Sequence, residues 1–216
     1  MSKRLNPDVD DAVSLDEGRI LVRLAREAIS RYLAERKVIQ PPADTPANLL
    51  KKRGVFVTLT NHASGELRGC IGFPEPVEKL ASATITSAIE AATEDPRFPA
   101  VSPEELDEDM IVEVSVLTAP KEIEAPRKEI PEHICIGADG LIVGRGPQRG
   151  LLLPQVAVEW GWDREEFLAH CCLKAGLPPD EWLLEGTKVH KFQAVIFKEV
   201  APKGPVQRVH HETHSS

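Results

Sequence analysis

A chain of 216 residues with 42% hydrophobic and 28% charged residues has the composition of a soluble globular protein. Its formal net charge of −8 argues against tight, non-specific binding to duplex nucleic acid, which depends on neutralising phosphates. No apolar run approaches the ~20 residues that a membrane-spanning helix needs, and no secretory signal opens the chain, so we expect no membrane association and a cytoplasmic location. The four cysteines lack a Cys-x-x-Cys spacing, which indicates neither a zinc knuckle nor a thioredoxin-like pair, so we expect reduced thiols. We assign no metal ligand, and the sequence does not identify a cofactor.

The first half of the chain predicts a helix, a hairpin and a second helix. Residues 1–13 are polar and acidic, which favours a flexible lead-in. Ser14 and Glu17 form a capping-box pattern, and the apolar spacing after it predicts a helix over 15–37. Two strand-like stretches at 55–60 and 66–72 enclose turn residues, which predicts a β-hairpin. A second helical pattern covers about 77–94.

The second half predicts shorter elements. A proline-restricted loop at 94–101 is followed by a clean strand over 111–117. Asp139-Gly140 between two apolar runs predicts a hairpin turn. Residues 154–159 and 164–175 are predicted to form two helices, and residues 189–199 the last strand. Residues 200–216 are predicted to be a flexible tail.

One stretch, residues 67–72 with the sequence LRGCIG, has the alternation of a strand. On such a strand Leu67, Gly69 and Ile71 are predicted to form a core face. Arg68, Cys70 and Gly72 are predicted to form the opposite, outer face. A cation beside a thiol lowers the pKa of the thiol, so Arg68 next to Cys70 predicts a reactive thiolate. The alternative is a buried structural cysteine beside a salt-bridged arginine, since free cysteines are usually inert.

Further candidate residues lie outside this stretch. Glu113, in the middle of a predicted strand, and His62, in the predicted hairpin turn, are the candidate acid–base groups for Cys70. Three more arginines lie in segments bounded by glycine or proline: Arg97, Arg145 and Arg149. Together with Gly69 and Gly72, their guanidinium groups are the candidate ligands of a small anion.

The stretch LRGCIG resembles the signature of the AMMECR family, and five further blocks are similar to that family in the same order, at 54–59, 95–99, 113–117, 149–157 and 172–177. The resemblance covers residues 14–199 and implies one α+β domain of two unequal lobes, with mainly antiparallel sheets covered by helices and the signature near a cleft between the lobes. It brings no settled activity, because enzymatic and regulatory roles have both been suggested for the family. Some relatives are fused or adjacent to Memo-like and radical S-adenosylmethionine proteins. The resemblance therefore implies such a protein as a possible partner, which would be a separate chain here.

Two functions from different classes follow. The first is an enzyme or modification-pathway component, centred on Cys70 and acting on a small anionic substrate in a cleft that Arg68 also lines. The second is a non-catalytic module that binds a nucleotide or another small anion. A third interpretation, a protein-interaction scaffold, would use Phe73 and Phe98 as its anchors.

Overall fold

The computed structural model describes residues 13–209 of the chain. Within this range the chain forms two compact units, the first from residues 13–118 and 195–209 and the second from residues 119–194. Each unit combines helices with an antiparallel sheet, which confirms the predicted α+β class. Most of the predicted lead-in and the histidines after residue 209 lie outside the described residues.

The elements follow the chain in a mixed order. The helices are α1 (Leu15–Glu35), α2 (Leu80–Thr93), α3 (Pro103–Glu108), α4 (Pro154–Trp160) and α5 (Arg164–Lys174). The strands are β1 (Val55–Asn61), β2 (Leu67–Phe73), β3 (Met110–Leu117), β4 (Lys121–Glu122), β5 (Gly140–Arg145), β6 (Gln148–Leu152), β7 (Lys188–Phe192), β8 (Ala194–Glu199) and β9 (Val206–Val209). Within the described part of the chain, no helix is both long and apolar enough to span a bilayer.

The first unit is a five-stranded sheet in the order β2-β1-β3-β8-β9, with α1 and α2 packed against one face. Alternate residues of β1 (Val55, Val57 and Leu59) are buried in this core. The predicted capping box of α1 is confirmed, because Ser14 Oγ accepts from the Glu17 amide at 3.3 Å and Glu17 accepts from the Ser14 amide at 2.8 Å. The order of the strands leaves β2, which carries the LRGCIG stretch, at an edge of the sheet.

The second unit is a four-stranded sheet in the order β4-β7-β5-β6, against which α5 packs. Cys171 and Cys172 on α5 are fully buried in its core, and the Cys171 thiol donates to the Leu141 and Gly150 carbonyls. The prediction that these cysteines pack in the core is therefore confirmed. Gly150 is required here, because a Cβ would lie 2.5 Å from the Cys171 carbonyl oxygen.

The hairpin predicted around Asp139-Gly140 was wrong. The hairpin is formed by β5 and β6 and turns at Gly146-Pro147, where Gly146 has a φ of +57°. Asp139 is buried and accepts from the Cys135 amide at 2.9 Å and from the Gln193 side chain at 2.9 Å. These contacts fold residues 134–139 into a turn, so this segment is not available as a strand.

Two further predictions near the end of the chain were wrong. The strand predicted over 189–199 is divided at Gln193 into β7 and β8, which belong to different sheets. The tail predicted to be flexible from residue 200 contains β9, which pairs antiparallel with β8. The sequence pattern could not reveal either outcome, because both depend on which strands the segments pair with.

Candidate functional site

Three polar side chains lie in one row across three neighbouring strands of the first sheet. Thr58 on β1 is paired with Cys70 on β2 on one side and with Glu113 on β3 on the other. Directly opposed residues share a face of the sheet, and this face is opposite to the one that carries Val57 and Leu59. The Thr58 hydroxyl donates to Cys70 Sγ at 3.3 Å. We call these three residues the Cys70 row.

The Cys70 row continues toward β8 with a cation. Lys198 Nζ lies 3.6 Å from Glu113 Oε2, and both side chains are partly buried. The Cys70 row and Lys198 together place a thiol, a hydroxyl, a carboxylate and an ammonium group on four adjacent strands. Such a sequence of groups can move a proton and bind a polar ligand.

A pair of side chains holds the backbone of Cys70 at the open edge of the sheet. Asp95 Oδ2 accepts from the Cys70 amide at 2.8 Å, and Arg97 Nη2 lies 3.5 Å from the Cys70 carbonyl oxygen. The Arg97 guanidinium donates two hydrogen bonds to Asp95, of 2.9 and 2.7 Å, and the Arg97 amide donates a third at 3.1 Å. An edge strand has no partner for its outward N–H and C=O groups, so the pair takes the place of a further strand.

The loop that supplies this pair follows α2 directly. The Asp95 side chain is 2% exposed, whereas Arg97 is 53% exposed. Hydrogen bonds from Arg97 hold the pKa of the Asp95 carboxyl well below its usual range, with help from the Cys70 amide. Phe98 stiffens the loop, since the guanidinium groups of Arg68 and Arg97 lie 5.9 and 5.4 Å from its ring centre. Asp95 is therefore a buried anion in a rigid loop.

The prediction that Cys70 has a lowered pKa was wrong. Burial raises the pKa of the Cys70 thiol, and the charges of Glu113 and Asp95 raise it further. The hydrogen bond from Thr58 and the charge of Arg97 lower it, but they do not reverse the shift. This upward shift of the pKa favours the neutral thiol over the thiolate.

The predicted partnership of Arg68 with Cys70 was also wrong. Arg68 binds Glu105 on α3 through two hydrogen bonds, of 2.6 and 3.1 Å, and donates to the Pro99 carbonyl at 2.8 Å. Its charge is therefore directed to a carboxylate and a loop carbonyl. The cation that acts on the Cys70 thiol is Arg97.

The two signature glycines are explained by packing. A Cβ at Gly69 would lie 2.1 Å from the Ala91 carbonyl oxygen of α2, and a Cβ at Gly72 would lie 2.3 Å from the Val55 carbonyl oxygen of β1. The expectation that Gly69 admits another backbone is confirmed. The predicted core face is only partly correct, because Gly69 is buried but Leu67 is 38% exposed.

The two candidate acid–base residues differ in position. Glu113 belongs to the Cys70 row, next to Thr58. His62 is the first residue after β1 and lies four positions beyond Thr58, a separation of about 13 Å along an extended strand. The His62 amide donates to the Asp109 carbonyl at 2.7 Å, at the hairpin end of the sheet. The geometry brings Glu113, and not His62, beside Cys70 through Thr58.

The arginines proposed for anion binding belong to different units. Arg68 and Arg97 lie in the first unit, and Arg145 on β5 and Arg149 on β6 lie in the second. Arg68 and Arg97 each bind a carboxylate as described, and Arg145 forms an ion pair with the buried Glu181. Carboxylates therefore already neutralise the guanidinium groups of Arg68, Arg97 and Arg145.

Sequence reasoning missed three residues that shape this site: Thr58, Asp95 and Glu105. Thr58 had a detectable signal, because it occupies the polar face of a strand predicted to pair with residues 66–72. Asp95 and Glu105 are 25 and 37 residues from the groups they bind, so no local pattern indicates them.

Comparisons with known proteins agree on one family. The AMMECR1 family model matches residues 22–197. A protein of Thermococcus gammatolerans is 60% identical over 194 residues, covering 88% of this chain and 94% of that protein. Protein PH0010 of Pyrococcus horikoshii is 59% identical, also over 88% of this chain and 94% of its own length. A crystal structure of uncharacterized protein PH0010 has a TM-score of 0.78 and 57% identity, and the match covers 91% of this chain and 98% of that one. By sequence and by fold, the chain belongs to the AMMECR1 family.

Proposed function

We propose that this protein is a thiol-dependent enzyme that acts on a small anionic molecule at the Cys70 row. The observation that carries the proposal is the hydroxyl–thiol contact between Thr58 and Cys70, with the Glu113 carboxylate at the next position of the same row. A nucleophilic cysteine needs a base within reach, directly or through one intervening group. Thr58 is such a group.

In the proposed step, Cys70 attacks an electrophilic carbonyl carbon of the substrate. The Thr58 hydroxyl, which donates to Cys70 Sγ in the resting state, turns to donate to Glu113. It then takes the proton as the S–H bond breaks and passes its own proton to the carboxylate, while an S–C bond forms. The π electrons of the carbonyl move to its oxygen, which remains on the substrate. Arg97 is paired with the buried Asp95, but its guanidinium is still half exposed, and this exposed part would contact an anionic substrate.

This route suits a thiol that burial keeps protonated. A low-pKa thiolate needs no base, whereas a neutral thiol reacts only when its proton is removed during the attack. Glu113 has two opposite effects in this arrangement. Its charge raises the pKa of Cys70, and its carboxylate accepts the proton.

These two effects make the proposal testable with iodoacetamide as a neutral electrophile. The rate of Cys70 alkylation at pH 7 would be followed by mass spectrometry of the peptide containing residues 67–73. We expect Glu113→Gln and Thr58→Val each to slow alkylation about tenfold or more, since general-base catalysis typically contributes at least ~100-fold in enzymes. Glu104→Gln, an exposed carboxylate of the same unit outside the row, is the matched control. Faster alkylation of Glu113→Gln would show that Glu113 acts only through its charge and would refute its role as base.

A second candidate is a binding module without turnover, which the raised pKa of Cys70 and the half-exposed Arg97 guanidinium favour. Its ligand would be a nucleotide or a phosphorylated metabolite. Thermal unfolding with a panel of such compounds would separate the two candidates. A ligand-induced shift kept by Cys70→Ser but lost by Arg97→Gln supports the binding module.

We also infer a cytoplasmic location, which is supported by four free cysteines among the described residues, since reducing compartments keep thiols free. By family association, a separate Memo-like or radical S-adenosylmethionine protein is the partner to test by co-purification.

A further inference from the structure

The second unit carries an aromatic stack that ends in an exposed tryptophan. Trp162 is half-buried and packs against the second core, and its ring lies parallel to that of His170 with centroids 3.8 Å apart and 4° between planes. The ring of Trp160 lies 6.0 Å from that of Trp162, with 16° between their planes. Trp160 is 70% exposed. The Trp162 end of the stack therefore packs against the core, and the Trp160 end is exposed to solvent.

The backbone around the stack is held rigidly. Helix α4 ends at Trp160, and Gly161 takes a φ of +66°, a conformation that favours glycine. The Gly161 amide bonds back to the Val158 carbonyl, and the Trp162 amide bonds to the Ala157 carbonyl at 2.9 Å. Asp163 then caps α5 by accepting from two amides of its first turn. A partner that stacks on Trp160 would therefore meet a surface already in its binding geometry.

The charges beside the stack select the kind of partner. Residues 159–166 carry four carboxylates and one guanidinium: Glu159, Asp163, Glu165, Glu166 and Arg164. Exposed aromatic faces bind nucleic-acid bases, but these carboxylates would repel the phosphates of a nucleic acid. The same carboxylates attract a cation, and the face of an indole is the best aromatic surface for one.

We propose that the Trp160–Trp162–His170 stack is a docking site for a protein partner, and that an arginine side chain of that partner lies flat on Trp160 and pairs with a carboxylate of residues 159–166. An arginine suits the site better than a lysine, because its planar guanidinium stacks on an aromatic face while it pairs with a carboxylate. Leu173 on α5, three residues after His170 and 52% exposed, extends the apolar surface for neighbouring residues of the partner. This inference goes beyond the proposed function, since it uses none of the Cys70 row.

The test uses a synthetic peptide, acetyl-Gly-Arg-Gly-Arg-Gly-amide, titrated into the full chain and followed by NMR of the indole N–H signals. The peptide with citrulline in place of arginine has nearly the same shape without charge. We expect the arginine peptide to move the Trp160 signal and the citrulline peptide to have little effect. We expect Trp160→Ala to weaken binding about fivefold or more, and Trp160→Phe and Val38→Ala, an exposed apolar control in the first unit, to stay within about threefold.

Three outcomes would overturn the proposal. Equal binding of the citrulline peptide would identify a general apolar patch, and unchanged affinity in Trp160→Ala would place the binding elsewhere. A concentration-dependent dimer in sedimentation velocity that Trp160→Ala abolishes would identify a second copy of this chain as the occupant. Circular dichroism of Trp160→Ala would establish that the variant is folded before its affinity is compared.

Discussion

Replacing Gly69 with alanine tests how closely α2 and the signature strand are packed. The added Cβ would lie 2.1 Å from the Ala91 carbonyl oxygen, whereas ordinary contacts begin at 3.4 Å. Strand and helix would have to separate by about 1.3 Å, and the atom encountered is backbone, which has no rotamer to change. Overpacking a core costs ~1–3 kcal/mol, so we expect about 3 kcal/mol here. With a urea slope of about 2 kcal/mol per M, the unfolding midpoint falls by about 1.5 M.

The assay is urea unfolding followed by far-ultraviolet circular dichroism, with Gly144→Ala as the matched control. A Cβ at Gly144 meets nothing closer than 3.4 Å, so this variant should stay within about 0.5 kcal/mol of the parent. The separation should also weaken the contact between Thr58 and Cys70 and change the alkylation rate of Cys70. Equal midpoints for Gly69→Ala and the parent would refute the argument that the Ala91 carbonyl excludes a side chain at this position.

Three more predictions follow from buried polar groups. Arg26 forms an ion pair with the Glu199 carboxylate, which is 4% exposed. Arg26→Met leaves this buried carboxylate without its cation, so we expect it to lower the free energy of unfolding by about 3–5 kcal/mol. In urea unfolding, the double variant with Glu199→Met should recover part of the loss. The pKa of Asp95 is lower in the folded chain than its unfolded value of about 3.9, so its stabilisation is complete above that value and disappears as the pH falls through the folded pKa. The stability difference between the parent and Asp95→Asn should therefore be larger at pH 6 than at pH 3, and an unchanged difference would contradict this. Burial raises the pKa of Cys171 to about 12, so iodoacetamide at pH 8 should alkylate the exposed Cys135 and spare Cys171 in the folded protein, as read by peptide mass spectrometry.

The elements that were predicted correctly depend on interactions between near neighbours. The helix predicted over 15–37 is α1, which begins at its predicted capping box and ends at Glu35. The hairpin predicted from 55–60 and 66–72 is β1 and β2, within one or two residues at each end. Caps and turns use groups three or four residues apart, so a sequence displays them directly.

The errors occurred where a distant group determined the local structure. The sequence pattern predicts a hairpin turn at Asp139-Gly140, but the Asp139 carboxylate binds Lys191 and Gln193, more than 50 residues away. In the same way, Arg68 was assigned to its neighbour Cys70, but its partner is Glu105. A charged side chain is directed to the opposite charge that folding brings nearest, which the alternation of a strand cannot indicate.

The sequence pattern by itself determined most helices and the strand that carries Cys70, and the resemblance to the AMMECR family supplied the antiparallel α+β class. The pattern also determined which face Glu113 and Cys70 occupy, because alternation along a strand is a property of the chain alone. Only the tertiary structure decided the electrostatics around Cys70, where α2 and its following loop bring Asp95 and Arg97 to the edge of β2. The physical reason is that periodicity is set by bonded geometry, whereas the pKa of a thiol is set by burial and by charges that arrive from elsewhere in the chain.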